Sequence, residues 1–319
     1  MNIIKTLAFA GMFLLTLTAG KCFVVSSFDS SDDDEGLTIV VTNAETANGE
    51  VVQSLNQTFA VAEIASQSAQ YVNDIYLSDP FSIPCDNAEG VIKLIVNDKD
   101  HSNRISIGDD LFLSYSNCNI NDVIANGELE MTVLDAKGID IGHFESGTDW
   151  SYILRVNATF LQINAENDNI IANGDMEITL QYDATKAMLS SQIKNDILAL
   201  ESETHRILSD LEISQFINLA VVPSSYSLSI KSLNINSDAL NGKISVATKS
   251  NSFSGVELTN LSEYFIDLIS PENGRFYITG KNSNAVLSIT PGGLVSIDVD
   301  TNGDSIPDME IFSTWVEMM

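Results

Sequence analysis

The stretch IANGELEMTV, Ile124 to Val133, returns almost letter for letter as IANGDMEITL, Ile171 to Leu180. Looser copies follow as ALNGKISV, Ala239 to Val246, and PENGRFYI, Pro271 to Ile278. Each copy is an Asn-Gly dipeptide followed by apolar residues at every second position. Asn-Gly adopts positive φ at little cost, and a period of two puts alternate side chains on one face of a strand. The expectation is a β-hairpin turn at each copy. The glycines stand 47, 68 and 32 residues apart, too uneven for a solenoid of fixed coil length. Duplicated hairpins with variable loops fit that spacing.

Outward from the copies the same period continues. Val91 to Val96, Leu111 to Tyr115, Leu154 to Gln162, Tyr226 to Ile230 and Tyr264 to Ile269 all read as strands. Ala184 to Val222 offers both a partial helical period and strand-like alternation, and its repeat context favours strands. Only Asn43 to Tyr76 has a sustained helical spacing, through Val51, Leu55, Phe59, Ala62, Ala65, Ala69 and Val72, with Thr42 or Asn43 as cap and Gly49 as a weak spot. The fold class is therefore mainly β. A large antiparallel sheet system (meander, curled sheet or sandwich) of repeated hairpins should carry one N-terminal helix whose apolar stripe packs on it. A membrane barrel would need aromatic girdles, which 8% aromatic residues do not supply.

The ends and the charge bound the compartment. Lys5 followed by an apolar run from Leu7 to Leu17 and then Thr18-Ala19-Gly20 reads as a secretory signal, residues 1–21. Residues 22–38 form an acidic linker, 39–80 the helical segment, and 81–319 the β-repeat domain. With 15 Lys and Arg against 44 Asp and Glu, the net charge is −29, which excludes nucleic acid as a partner because phosphate binding needs cations to release counterions. Of three cysteines, Cys85 and Cys118 form an even pair for a disulfide in an oxidising compartment. Cys22 resembles the lipid-modified cysteine of bacterial lipoproteins, although Lys21 stands where such signals carry Gly, Ala or Ser. Membrane anchoring, if any, runs through that cysteine.

One motif carries chemistry. Asp298-Val299-Asp300-Thr301-Asn302-Gly303-Asp304-Ser305-Ile306-Pro307-Asp308 spaces oxygens at alternate positions around a glycine, which suits a hard cation such as Ca2+. It resembles the calcium loops of thrombospondin type 3-like and related bacterial repeats. That resemblance implies Asp298, Asp300, Asn302, Asp304 and Asp308 as ligands of a structural ion. It departs in having Met309 at the twelfth place of an EF-hand register and in occurring once. The competing reading is a hairpin at Asn302-Gly303 with solvated aspartates. A second acidic run, Asp98 to Asn103, precedes the Gly108-Asp109-Asp110 turn; it offers another cation loop, but Lys99 and Arg104 sit inside it and favour a solvated turn.

Catalytic residues are not expected: His101, His143 and His205 share no ligand spacing, and nucleophile, zinc and phosphate-loop motifs are missing from the sequence. Trp150 and Trp315 would form a sugar platform if exposed. The signal segment, the Asn-Gly units and the segment from Gly274 to Trp315 together resemble uncharacterised exported β-repeat proteins and lipoproteins of Gram-negative bacteria. The resemblance implies a periplasmic, outer-membrane-anchored or extracellular location. The functional expectation is a non-enzymatic envelope protein, a structural or interaction module with a protein or glycan partner. The alternatives are a carrier of lipid or another apolar ligand inside a curled sheet, and a carbohydrate-active enzyme or binding module.

Overall fold

Strands dominate because period-two patterning dominates. The computed structural model describes residues 36–73, 81–85, 90–102, 106–120, 123–138, 147–164, 169–220, 224–248, 253–256, 265 and 271–318. The signal segment, Cys22, most of the acidic linker and His143 lie outside the described residues. A helix, α1 (Val41–Asn73), precedes β1 (Phe81–Pro84), β2 (Val91–Asn97), β3 (Asp110–Ile120), β4 (Val123–Lys137), β5 (Trp150–Asn164) and β6 (Asn169–Asp183). Then come β7 (Met188–Glu201), β8 (His205–Asn218), β9 (Ser225–Ser237), β10 (Gly242–Ala247) and β11 (Phe253–Val256). The chain closes with β12 (Pro271–Gly280), β13 (Ser283–Thr290), β14 (Leu294–Asp300), β15 (Met309–Thr314) and the single turn α2 (Trp315–Met318).

Apart from β10 and β11, each strand pairs antiparallel with its sequence neighbour, so the sheet is one meander from β1 to β15. β10 and β11 share a lane: both pair with β9 on one side and with β12 on the other. The stretch from Ala184 to Val222, open to two readings in the sequence, forms β7 and β8.

The Asn-Gly copies require a correction. Asn126-Gly127 lies inside β4, Asn173-Gly174 inside β6 and Asn273-Gly274 inside β12; only Asn241-Gly242 stands at a hairpin turn, between β9 and β10. In β4 and β6 the motif stands opposite a bulge in the neighbouring strand. Pairing skips between Tyr115 and Cys118 in β3, Ala158 and Leu161 in β5, and Gly174 and Glu177 in β6. Residues with positive φ line up across neighbouring strands: Asn117 (48°), Gly127 (104°), Phe160 (47°), Gly174 (135°) and Asp210 (52°). A bulge bends its strand and adds twist, so the row of them creases the sheet between β3 and β9.

The asparagine has its own task at the crease. Asn126 Oδ1 accepts the Asn117 backbone N–H at 2.8 Å, and Asn173 Oδ1 accepts the Phe160 N–H at 2.8 Å. Asn195 does the same for the Leu211 N–H at 3.1 Å. Each side chain thus satisfies a donor that the bulge removes from the ladder. The crease also resets which residues point inward. β5 buries Tyr152, Leu154, Val156 and Ala158, then Leu161 and Ile163. An unbulged strand would have turned Leu161 outward, since one residue of slip exchanges the faces.

The inward face closes on α1. Arg206 of β8 and Ser237 of β9 meet Glu50, Tyr152 of β5 stands beside Ser66, and Tyr115 of β3 meets Ser68. Contacts therefore run down the helix in reverse strand order, and α1 crosses the strands. Its 33 residues span about 50 Å. The sequence predicted one apolar stripe; instead the helix is buried on nearly every side. Polar Asn48, Ser54, Gln57, Thr58, Ser66 and Ser68 are as buried as Val51, Leu55 and Phe59. Small alanines and hydroxyls keep it slender, and Thr58 and Ser68 hydroxyls return hydrogen bonds to Ser54 and Ile64 carbonyls within the helix. Asn43 anchors its start by accepting the Val40 N–H at 2.8 Å.

Candidate cation-binding loops

Two acidic loops are candidates, and the fold treats them differently. The first joins β2 to β3. Asp109 is fully buried; its Oδ1 accepts the Lys99 N–H at 3.0 Å, and its Oδ2 accepts the Ser106 N–H at 2.8 Å and hydroxyl at 3.0 Å. These bonds fold the loop back over the start of β3. Asp98 and Asp100 both accept the Ser102 N–H, at 3.2 and 2.9 Å. The Ser102 hydroxyl and N–H hold the Asp100 carboxyl down to about 2, so it is ionised at neutral pH. One carboxylate oxygen each from Asp98, Asp100 and Asp109 lies within 4.8 Å of the others. Among the described residues this is the one set of three or more acidic, His or Cys groups close enough to share an ion.

The sequence reading offered the Asp98–Asn103 run as a cation loop, favoured a solvated turn, and did not join Asp109 to it. A usable signal was present. Counting Asp98 as the first position puts Asp100 third, Ser102 fifth, Ser106 ninth and Asp109 twelfth, the ligand register of a twelve-residue EF-hand loop. Asn103 replaces the usual sixth-position glycine, Asp109 replaces glutamate, and strands replace the flanking helices. Lys99 turns away to pair with Asp110 at 3.0 Å.

The second loop joins β14 to β15. Asp300 is buried and accepts the Gly303 and Ser305 N–H groups at 2.7 Å each and the Asn302 N–H at 3.2 Å. Burial opposes its ionisation, but those backbone donors outweigh it and hold the carboxyl below its usual range. Asn302 Oδ1 accepts from Asp304, Asp304 Oδ1 from Ile306, and Asp308 Oδ2 from the Thr301 N–H and hydroxyl. Asp298 lies on β14 between Val286 and Glu310. The Asp300, Asp304 and Asp308 carboxylates accept from the loop's own backbone, each tying a different part of the turn.

Other expected residues fall as follows. Cys85 and Cys118 are bonded, with Cα atoms 5.3 Å apart, linking the end of β1 to β3 across the start of β2. Trp150 and Trp315 are each 2% exposed, and Trp150 stacks on Tyr152 with ring centroids 5.9 Å apart, so neither offers a sugar platform. His101 lies in the first loop and His205 opens β8. A buried charge network went unread in the sequence. Glu50 accepts from Arg206 Nε at 2.7 Å, from Arg206 Nη2 at 2.9 Å and from the Ser237 hydroxyl at 2.5 Å. Arg206 also donates to Gln53 and, at 3.3 Å, to Gln57. Its partners lie about half the chain apart, beyond any local pattern.

Among the described residues no helix is long and apolar enough to cross a membrane. Comparison with protein-family models, curated proteins and solved structures finds no match to this chain.

Proposed function

We propose that the chain is an exported, non-enzymatic module of the cell envelope that acts through the outer surface and edges of its sheet. One observation carries the reading: α1 occupies the inside of the sheet and packs there on nearly every side. A sheet that carries a lipid keeps that space as an apolar cavity open to solvent. Here side chains of the chain itself take the place of the ligand. Export rests on the signal segment, and the choice among periplasm, outer membrane and exterior turns on Cys22. The test is titration with an environment-sensitive fluorescent fatty acid. The expected result is no saturable signal; saturable one-to-one binding would overturn the reading in favour of a carrier.

A second observation favours a structural Ca2+ within the same module. The convergence of Asp98, Asp100 and Asp109 supports the β2–β3 loop as the first place to look for it, ahead of the Asp298–Asp308 loop. An ion bound only to the folded chain at a hundredfold excess over its dissociation constant stabilises it by about 2.7 kcal/mol. Melting with Ca2+ against chelator should show a rise that Asp98→Asn with Asp100→Asn removes. Equal melting in both buffers would sink both loops. A rise surviving those substitutions but lost in Asp304→Asn would move the ion to the second loop.

A further inference from the structure

The last strand of the sheet is left unguarded. β15 pairs with β14 along one side in continuous register, and among the described strands none pairs with its other side. Natural edge strands are blunted by lysine, proline, a bulge or brevity. The opposite edge follows that rule, since β1 has four residues and ends in Pro84. β15 has neither lysine nor proline, and no shift interrupts its pairing from Met309 to Thr314.

Its two faces differ. Ile311 packs against the core, whereas Phe312 on the opposite face is 73% exposed, the highest of any large apolar side chain among the described residues. Beside the strand lies a cleft between α1 and α2, lined by Glu45, Gln53, Ser313 and Glu317 among others. Glu50 also reaches this cleft but is already paired with Arg206. Glu45 is exposed. The Thr314 hydroxyl and N–H and the Ser313 hydroxyl hold the Glu317 carboxyl below its usual range. The cleft is therefore anionic at neutral pH.

We infer that β15 is a docking edge for an extended basic segment of a partner protein, which adds to the sheet as a further antiparallel or parallel strand. A strand presents alternate side chains to opposite faces. Phe312 lines the same cleft as Glu45 and Glu317, so the side chains that a docked segment turns toward the cleft meet both carboxylates and the ring. Backbone hydrogen bonds supply affinity, while the cleft and the ring supply selection. Charge identifies the occupant. A second copy of this chain, at −29 and with Glu310 on the same strand, meets like charge along the edge, and so does the chain's own acidic linker. A segment bearing lysine or arginine at every second position meets opposite charge.

This inference rests on the interaction-module reading and narrows it to one surface. Its test leaves the fatty-acid titration free to decide the wider reading independently. The probe is a peptide of about nine residues alternating lysine and valine, followed by fluorescence anisotropy against the full mature chain. Binding should weaken by about tenfold or more in Phe312→Ala combined with Glu45→Gln. It should stay unchanged in Glu130→Gln, a remote exposed carboxylate on β4. N-methylation along one backbone edge of the peptide should abolish it. Failure of the peptide to bind would overturn the inference. So would equal loss in Glu130→Gln, full retention by the double variant or the N-methylated peptide, or equal binding of a glutamate–valine peptide.

Discussion

Replacing Gly127 by alanine separates a crease from a turn. Gly127 has φ of 104°, and a Cβ placed there would stand 2.2 Å from the Phe160 carbonyl oxygen and 2.9 Å from the Leu161 Cα. Gly292, in the turn between β13 and β14, has nearly the same φ, 95°, with nothing within 4 Å of a Cβ. The two substitutions therefore share the backbone strain, on the order of 1–2 kcal/mol. They differ in everything else. At Gly127 the neighbouring backbone must move, an overpacking cost of about 1–3 kcal/mol. The shift also strains the Asn126 bond to the Asn117 N–H, worth about 1 kcal/mol. Gly127→Ala should thus lose about 3–6 kcal/mol in all, and Gly292→Ala about 1–2 kcal/mol. Urea unfolding followed by tryptophan fluorescence measures both, because Trp150 and Trp315 are buried and report the folded core. Equal losses at the two glycines would refute the crease as a site of close strand approach.

Further outcomes follow from the same contacts. Arg206→Met should cost about 3–5 kcal/mol by stranding the Glu50 carboxylate, whereas Arg206→Met with Glu50→Leu should recover most of it, a double-mutant cycle read by the same unfolding assay. Reducing the Cys85–Cys118 bond, which closes a loop with a sequence separation of 33, should lower stability by about 4 kcal/mol; an unchanged urea midpoint after reduction would contradict this. Burial pushes the Tyr115 and Tyr152 phenols well above the ordinary tyrosine value. Their contribution is therefore whole below the unfolded-state value of about pH 10 and is lost as pH rises from there toward the folded values. Tyrosinate absorbance should show these two ionising only as circular dichroism reports unfolding, and ionisation of every tyrosine in the native state would rule it out.

Much of the sheet was legible because strands announce themselves locally. Leu111, Leu113 and Tyr115 alternate, as do Tyr152, Leu154 and Val156, and that pattern needs no knowledge of neighbours. The change of phase from Tyr115 to Cys118 was visible too, but a strand end and a bulge leave the same trace in one chain segment. Asn-Gly tipped the reading toward a turn. The bulge is distinguished only by Asn126 reaching Asn117, and by Gly127 lying against Phe160 on the next strand. Of the two acidic loops, the Asp298–Asp308 motif was compact enough to notice, while Asp98 and Asp109 stood eleven residues apart with positive charge between them at Lys99 and Arg104.

By itself, then, the sequence determined the alternating strands, the single N-terminal helix and the excess of acidic residues. These depend on residues a few places apart, where alternation, capping and turn chemistry act directly. Only the tertiary structure decided that the helix is enclosed, that its polar residues are core residues, and that the dipeptides at Asn126 and Asn173 brace bulges inside the sheet instead of forming turns. The reason is physical: a side chain's face and a glycine's purpose are set by whichever backbone lies against it. For Glu50 that neighbour is Arg206, 156 residues away.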